Sequence, residues 1–282
     1  ISSEFGVSFT ALGALISAFG IARLIIDLPA GGLIDRMPSH PLFYTGALLV
    51  ITGVSVSALA PIYPLLFAGR IIEGSGASVA GAAAQAYVAR EAPEESRGQM
   101  LGTISAAQMV GGFLSPAIVG LVASLAGWRF GLLATVVPSL LAVALVKLYV
   151  KHGHGKRPRS NNIFGLRGFI YTPGRLAIVN LMTVALTFPI FGFKAVLYPV
   201  YGTQELQLEP ALVGLAISIS TLMRFPVAIA AGALSDRFGR VRIYVPSAIF
   251  MGLVSILVSQ AGDVATYVLF GLAFGLGGGA VP

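Results

Sequence analysis

Six ionisable side chains stand inside long apolar runs of this sequence, and their types and spacing bound its chemistry: Arg23, Asp27, Arg70, Glu73, Lys194 and Arg224. A charge at the centre of a hydrocarbon layer costs at least about 2.5 to 3.5 kcal/mol, so each of the six needs a partner or a wet cavity. Arg23 and Asp27 are four residues apart and Arg70 and Glu73 three, which puts each pair on one helix face within reach of an ion pair. Static pairing that aids packing is one reading of both pairs. For Arg70 and Glu73 the other is a carboxylate that changes its basic partner when it takes a proton. Lys194 lies near the outer end of its run beside Tyr198, where a long side chain is expected to snorkel towards the membrane surface. Arg224 has no acid one turn away, so it either faces a central cavity and attracts an anion or pairs with an acid elsewhere.

Hydrolytic chemistry finds no residues to carry it. Cysteine is absent, and the three histidines, His40, His152 and His154, all fall in polar connections. Ser75, flanked by glycines in GSGAS, has no base in its run. His152 and His154 stand in a Gly-rich loop without a nearby carboxylate, so they are read as solvated, and no metal site is expected. The sequence also lacks G-x-x-x-x-G-K-[ST], so neither a nucleotide nor another cofactor is expected.

The elements that must hold these charges are helices in a membrane. Of the 282 residues, 56% are hydrophobic and 10% charged, against roughly 25% charged in a soluble domain, and the mean hydropathy is +0.88. Runs of about twenty apolar residues, each able to cross a core of roughly 30 Å, follow one another. They lack the alternation of a membrane barrel, so an all-α membrane protein is expected. Nine spans are predicted: 9–33, 41–60, 62–88, 99–124, 128–150, 175–200, 211–234, 242–261 and 264–282.

Charge decides sidedness. Basic residues recur at every second connection: Arg36; Arg90 and Arg97; Lys147 to Arg175; then Arg237, Arg240 and Arg242. By the positive-inside rule the connections 35–40, 90–98, 151–174 and 235–242 are cytoplasmic. The net charge of +7 is thereby assigned to membrane edges, where it meets anionic headgroups rather than nucleic acid. Tyr63, Trp128, Tyr198 and Tyr201 fall at the opposite ends as expected interfacial anchors. The polar segment 151–174 reads as a linker between an N-terminal half, 1–150, and a C-terminal half, 175–282.

The halves share a sequence signal. RLIIDLPAGGLIDR at Arg23 to Arg36 aligns without gaps on RFPVAIAAGALSDR at Arg224 to Arg237, an offset of 201 residues that also superposes Gly13 on Gly214 and Ser17 on Ser218. Gly31, Leu33, Asp35 and Arg36 resemble the loop motif G-x-L-x-D-R-x-G-R-[KR] of the major facilitator superfamily, departing from it at Pro38, Ser39 and His40. The second copy is fuller, with Gly232, Leu234, Asp236, Arg237, Gly239 and Arg240. Leu66, Arg70, Gly74, Gly76 and Ala77 are similar to the family's fourth-helix motif, with Glu73 in place of Gln. Gly111, Pro116 and Gly120 resemble the fifth-helix motif of its exporters, with Ser115 and Val119 replacing two glycines.

The resemblance implies two pseudo-symmetric six-helix halves, of which helices two to ten are visible here, the first and last two lying outside the sequence. It implies alternating access in which Asp35, Arg36 and their counterparts clasp the cytoplasmic ends of the halves. A mere surface cap at these corners, worth about 0 to 1 kcal/mol, is the competing view. The resemblance also associates Arg70 with proton coupling in exporters. The expectation is a secondary transporter of a small molecule, driven by a proton or other ion gradient. Efflux of a drug or metabolite leads, with uptake of a sugar or organic anion as the alternative. A membrane enzyme lacks its residues, and a channel or receptor has no need of a repeated clasp. A monomer in a bacterial inner membrane is expected, with lipid and a small-molecule substrate as partners.

Overall fold

The computed structural model describes residues 2–93, 95–149 and 190–279, and among these no strand occurs. A short α1 (Ser2–Phe5) precedes α2 (Phe9–Arg36), α3 (Ser39–Leu59), α4 (Tyr63–Glu91), α5 (Arg97–Ala126), α6 (Trp128–Ala134) and α7 (Val136–Tyr149). Residues 190–205 form wide π-helical turns, Ile190–Leu197 and Tyr201–Glu205, around one α-helical step. Then come α8 (Pro210–Phe238), α9 (Arg240–Leu257) and α10 (Val264–Gly279).

Six of the described stretches are long and apolar enough to cross a membrane. The 29 residues of α4 also suffice in length, roughly 43 Å at about 1.5 Å per residue. The span expected at 175–200 and the linker 151–174 lie largely or wholly outside the described residues. Large apolar side chains cover the outside: Leu125 is 79% exposed and Ile256 71%. Such a surface suits lipid and not water.

Helix ends follow local chemistry. The expected spans stop at 33 and 234, but α2 runs on through Asp35 and Arg36 and α8 through Asp236 and Arg237. Between these stops and Pro38 or Gly239 there is neither proline nor glycine, so the motif acids and bases ride on the last helical turns. Gly239 then turns the chain at φ +90°, a conformation that a side chain resists. The span expected at 128–150 is divided at Thr135. Pro138 has no N–H to offer the carbonyl of Ala134, one turn back, which accounts for the break.

The contacts form two compact units, one of residues 1–106 with 128–173 and the other of 107–127 with 174–282. Sequence order puts the second half of α5 in 1–150, whereas packing puts it with 174–282. In the first unit α3 and α4 meet backbone to backbone. A Cβ on Gly76 would lie 2.6 Å from the Gly46 carbonyl oxygen, and one on Gly69 2.7 Å from that of Gly53. In the second unit Gly275 abuts the Ser220 carbonyl of α8, and a Cβ on Gly279 would lie 2.8 Å from the Arg224 oxygen. Contact this close depends on residues without side chains. Gly74 and Gly76 share this role, but a Cβ on Gly81 meets nothing.

Candidate functional site: the intramembrane charges and their supports

The best-formed pair is on α4. Arg70 donates from Nη1 to Glu73 Oε2 at 2.6 Å, with both side chains largely buried. The Arg70 guanidinium also lies 5.9 Å from the Phe19 ring centroid on α2. Gly74, one residue past Glu73, presses against the Phe19 carbonyl, so α2 and α4 touch backbone to backbone beside the pair. In water such a pair is weak, but inside an apolar bundle separating the charges leaves both unsolvated.

Arg23 and Asp27 are looser, at 3.9 Å and about half exposed. Asp27 takes a firmer hydrogen bond from the buried Ser78 hydroxyl of α4. The sequence reading missed Ser78, whose one signal was its place among the small residues of Gly74 to Ala84.

The second unit holds its charges differently. Lys194, in the π-helical stretch, does not take the expected course to the headgroups: it donates to Thr221 Oγ1 of α8 at 2.7 Å. Thr221 gives its own proton to the Ile217 carbonyl. Three residues on, Arg224 donates from Nε to the Gly278 carbonyl of α10 at 3.2 Å. Among the described residues neither cation is within ion-pair distance of an acid. Tyr198 is not an interfacial anchor either. It is 1% exposed, stacked on Tyr267 at 4.1 Å, and each hydroxyl donates to the other residue's carbonyl. Burial against α10 outweighs the headgroup preference that its position suggested.

At the motif corners the backbone places Gly31, Leu33, Asp35 and Arg36 on the last turns of α2, while their side chains lie outside the described residues, as do those of Asp236 and Arg240. Gly232, Leu234 and Arg237 are exposed, and the Arg237 guanidinium lies 5.5 Å from the Phe238 ring centroid. Arg90, read from sequence only as a marker of sidedness, closes the first corner. It donates to the Ile34 carbonyl at the end of α2 and, at 3.5 Å, to Met37 O and Ser39 Oγ. Those carbonyls have no helical partner of their own, so one guanidinium caps α2 and ties it to α4.

The family model of the Major Facilitator Superfamily matches residues 1–282, the whole chain. The chain belongs to that superfamily. A probable L-galactonate transporter of Escherichia coli strain K12 is 28% identical over 156 residues, which are 55% of this chain. The alignment spans about a third, 34%, of that relative's length. Among solved structures, a D-xylose-proton symporter superposes with a TM-score of 0.69 at 18% identity, covering 97% of this chain and 71% of its own. The nucleoside transporter NupG does so with a TM-score of 0.73 at 15% identity, covering 98% and 73%. At such identities these structures show the fold alone.

In this superfamily member the three helix-five residues separate. Gly120 and Pro116 of α5 lie against Pro210 and Gly214 of α8, the glycines letting the two backbones touch. Gly111 meets nothing, whereas a Cβ on its neighbour Gly112 would lie 3.8 Å from the Thr221 methyl. At the outer rim Glu4 accepts from Arg129 Nη2 at 2.7 Å and Trp128 Nε1 at 2.6 Å, while Arg129 Nη1 reaches the Ala58 carbonyl at 2.7 Å. The Arg129 bond, then the Trp128 bond, holds the Glu4 carboxyl below its usual value.

Proposed function

We propose that this chain forms the moving bundle of a secondary transporter that carries a small hydroxylated molecule inwards by alternating access, coupled to the proton gradient. The observation that carries the reading is the Arg70–Glu73 pair at the α2–α4 contact. Among the described residues the Glu73 side chain is held by Arg70, so that protonating it would release a partly buried cation at the α2–α4 contact. Glu73 is the proton-responsive member and Arg70 the partner it releases. Arg23 and Asp27 support α2 through Ser78. Asp35, Arg36, Asp236, Arg237, Gly239 and Arg240 form the cytoplasmic corners that clasp and part, with Arg90 stiffening the first.

Uptake is favoured over efflux. The D-xylose-proton symporter, the nucleoside transporter and the probable galactonate transporter share polyhydroxylated molecules in their names, whereas the exporter-like helix-five motif is incomplete at Ser115 and Val119. Residues 1–150 and 175–282 are the two halves that rock, as a monomer in a bacterial inner membrane, with no cofactor besides the ion gradient.

The test uses the full-length protein in liposomes, with radiolabelled galactonate, galactose and a nucleoside offered with and without an inward proton gradient. Accumulation of at least one, lost on collapsing the gradient, is expected. Glu73→Gln should keep exchange of internal for external substrate while gradient-driven accumulation falls at least tenfold. Accumulation by Glu73→Gln equal to the parent protein removes Glu73 from coupling. Efflux of preloaded substrate against its own gradient reverses the direction.

A further inference from the structure

Lys194 and Arg224 pose a problem that the pairs on α2 and α4 do not. Both cations meet α8 about one turn apart, Lys194 through its bond to Thr221 and Arg224 three residues on, inside apolar helices. The sequence offers them no local acid. Residues 174–282 contain four, Glu205, Glu209, Asp236 and Asp263. Along α8, Glu209 and Asp236 are fifteen and twelve residues from Arg224, roughly 22 and 18 Å at about 1.5 Å per residue. Glu205 is exposed, and Asp263 is engaged by Thr266. An ammonium has three N–H donors and a guanidinium five. Among the described residues each cation has one acceptor, Thr221 and Gly278, which leaves most of the donors without a described partner.

Glycines stand on the neighbouring helices beside these two side chains. Gly112 of α5 faces Thr221 and Gly278 of α10 faces Arg224, both without a side chain. Lys194 projects from wide π-helical turns, a rare backbone form that accompanies functional positions in helices. A carboxylate has about four lone-pair sites for such donors, and charge-assisted bonds of this kind are roughly twice as strong as neutral ones.

The geometry points to a carboxylate subsite formed by Lys194 and Arg224, with Thr221 positioning the lysine, which makes the transported molecule a small hydroxylated acid such as an aldonate rather than a neutral sugar. This rests on the uptake reading and narrows its substrate class.

The test measures binding, so that it can fail separately from transport. Thermal unfolding of the purified full-length protein is followed as galactonate or its neutral counterpart galactose is titrated in. Stabilisation is expected at a concentration at least tenfold lower for galactonate. Lys194→Gln and Arg224→Gln should each shrink that preference at least tenfold, and Lys194→Arg should preserve most of it. Ala228→Asp removes no buried group and puts an acid one turn from Arg224; it should lower the preference as the glutamine variants do, and serves if those do not fold. No preference in the parent protein, or an equal loss for both ligands in every folded variant, overturns the subsite. Selective binding of galactonate without uptake in liposomes would uphold the subsite and sink the transport reading. Uptake of galactose in preference to galactonate would do the reverse.

Discussion

The two copies of the α2-type helix carry the same arginine and resolve its charge in opposite ways. Arg23 has Asp27 one turn on, and Asp27 is held in turn by Ser78, so the first copy is locally neutral. Arg224 has Ala228 at the matching place, and a second cation, Lys194, approaches Thr221 on the same helix. The difference teaches that two stretches alike in sequence can differ in how they neutralise a shared charge. One copy is suited to holding two helices together and the other to attracting an anion.

The comparison can be broken first at the packing that both copies share. Gly74→Leu in the α2–α4 seam and Gly275→Leu in the α8–α10 seam each drive a side chain into a facing backbone, at a cost of about 1 to 3 kcal/mol or more. Both should give little folded protein by size-exclusion chromatography in detergent, whereas Gly81→Leu, facing open space, should purify normally. A normal yield for Gly275→Leu would mean that only the first seam is tight.

Next comes the acid itself. Moving it, by Asp27→Ala with Ala228→Asp, should abolish the preference for galactonate, a change of at least tenfold or about 1.4 kcal/mol. Asp27→Ala alone should lower the unfolding temperature, because Ser78 loses its acceptor, and leave the galactonate-to-galactose ratio within about twofold. A shift of that ratio by Asp27→Ala as large as the double variant's would erase the distinction between the copies.

The smallest effect is at the outer rims. Glu4 is held below the usual carboxylate value by Arg129 and Trp128, and Asp263 by the Thr266 hydroxyl and then its backbone N–H. A depressed carboxyl contributes stability that is present above its usual value and lost as pH falls through the lowered one. Between pH 5 and pH 3 the protein should therefore lose slightly more unfolding temperature than Glu4→Gln or Asp263→Asn does. Both sites are exposed, so about 1 °C is expected, and calorimetry would resolve it. The Glu4 tie bridges distant elements and the Asp263 cap is local, so Glu4→Gln should have the larger effect of the two.

Much of this was legible beforehand because it depends on near neighbours along the chain. Helices follow from uninterrupted apolar runs and the ion pairs from spacings of three and four, whereas the expected ends of α2 and α8 fall several residues short of Pro38 and Gly239. What escaped depends on residues far apart in sequence. Lys194 turns inwards because Thr221 is there, Asp27 is held by Ser78, Tyr198 is buried by Tyr267, and Arg90 reaches the end of α2. No local pattern encodes these meetings, and each becomes visible only once two helices touch. The small residues of α4 and α10 marked where helices approach, but not which polar groups the approach would bring together.

The mutual bonding of Tyr198 and Tyr267 has a mechanical consequence. Two stacked rings, each anchored to the other's main chain, act as a rivet midway along residues 190–205. Slack in that stretch is then left to the wide turns of Ile190–Leu197. The rivet thereby fixes the C-terminal end of Ile190–Leu197, the stretch that carries the Lys194 ammonium.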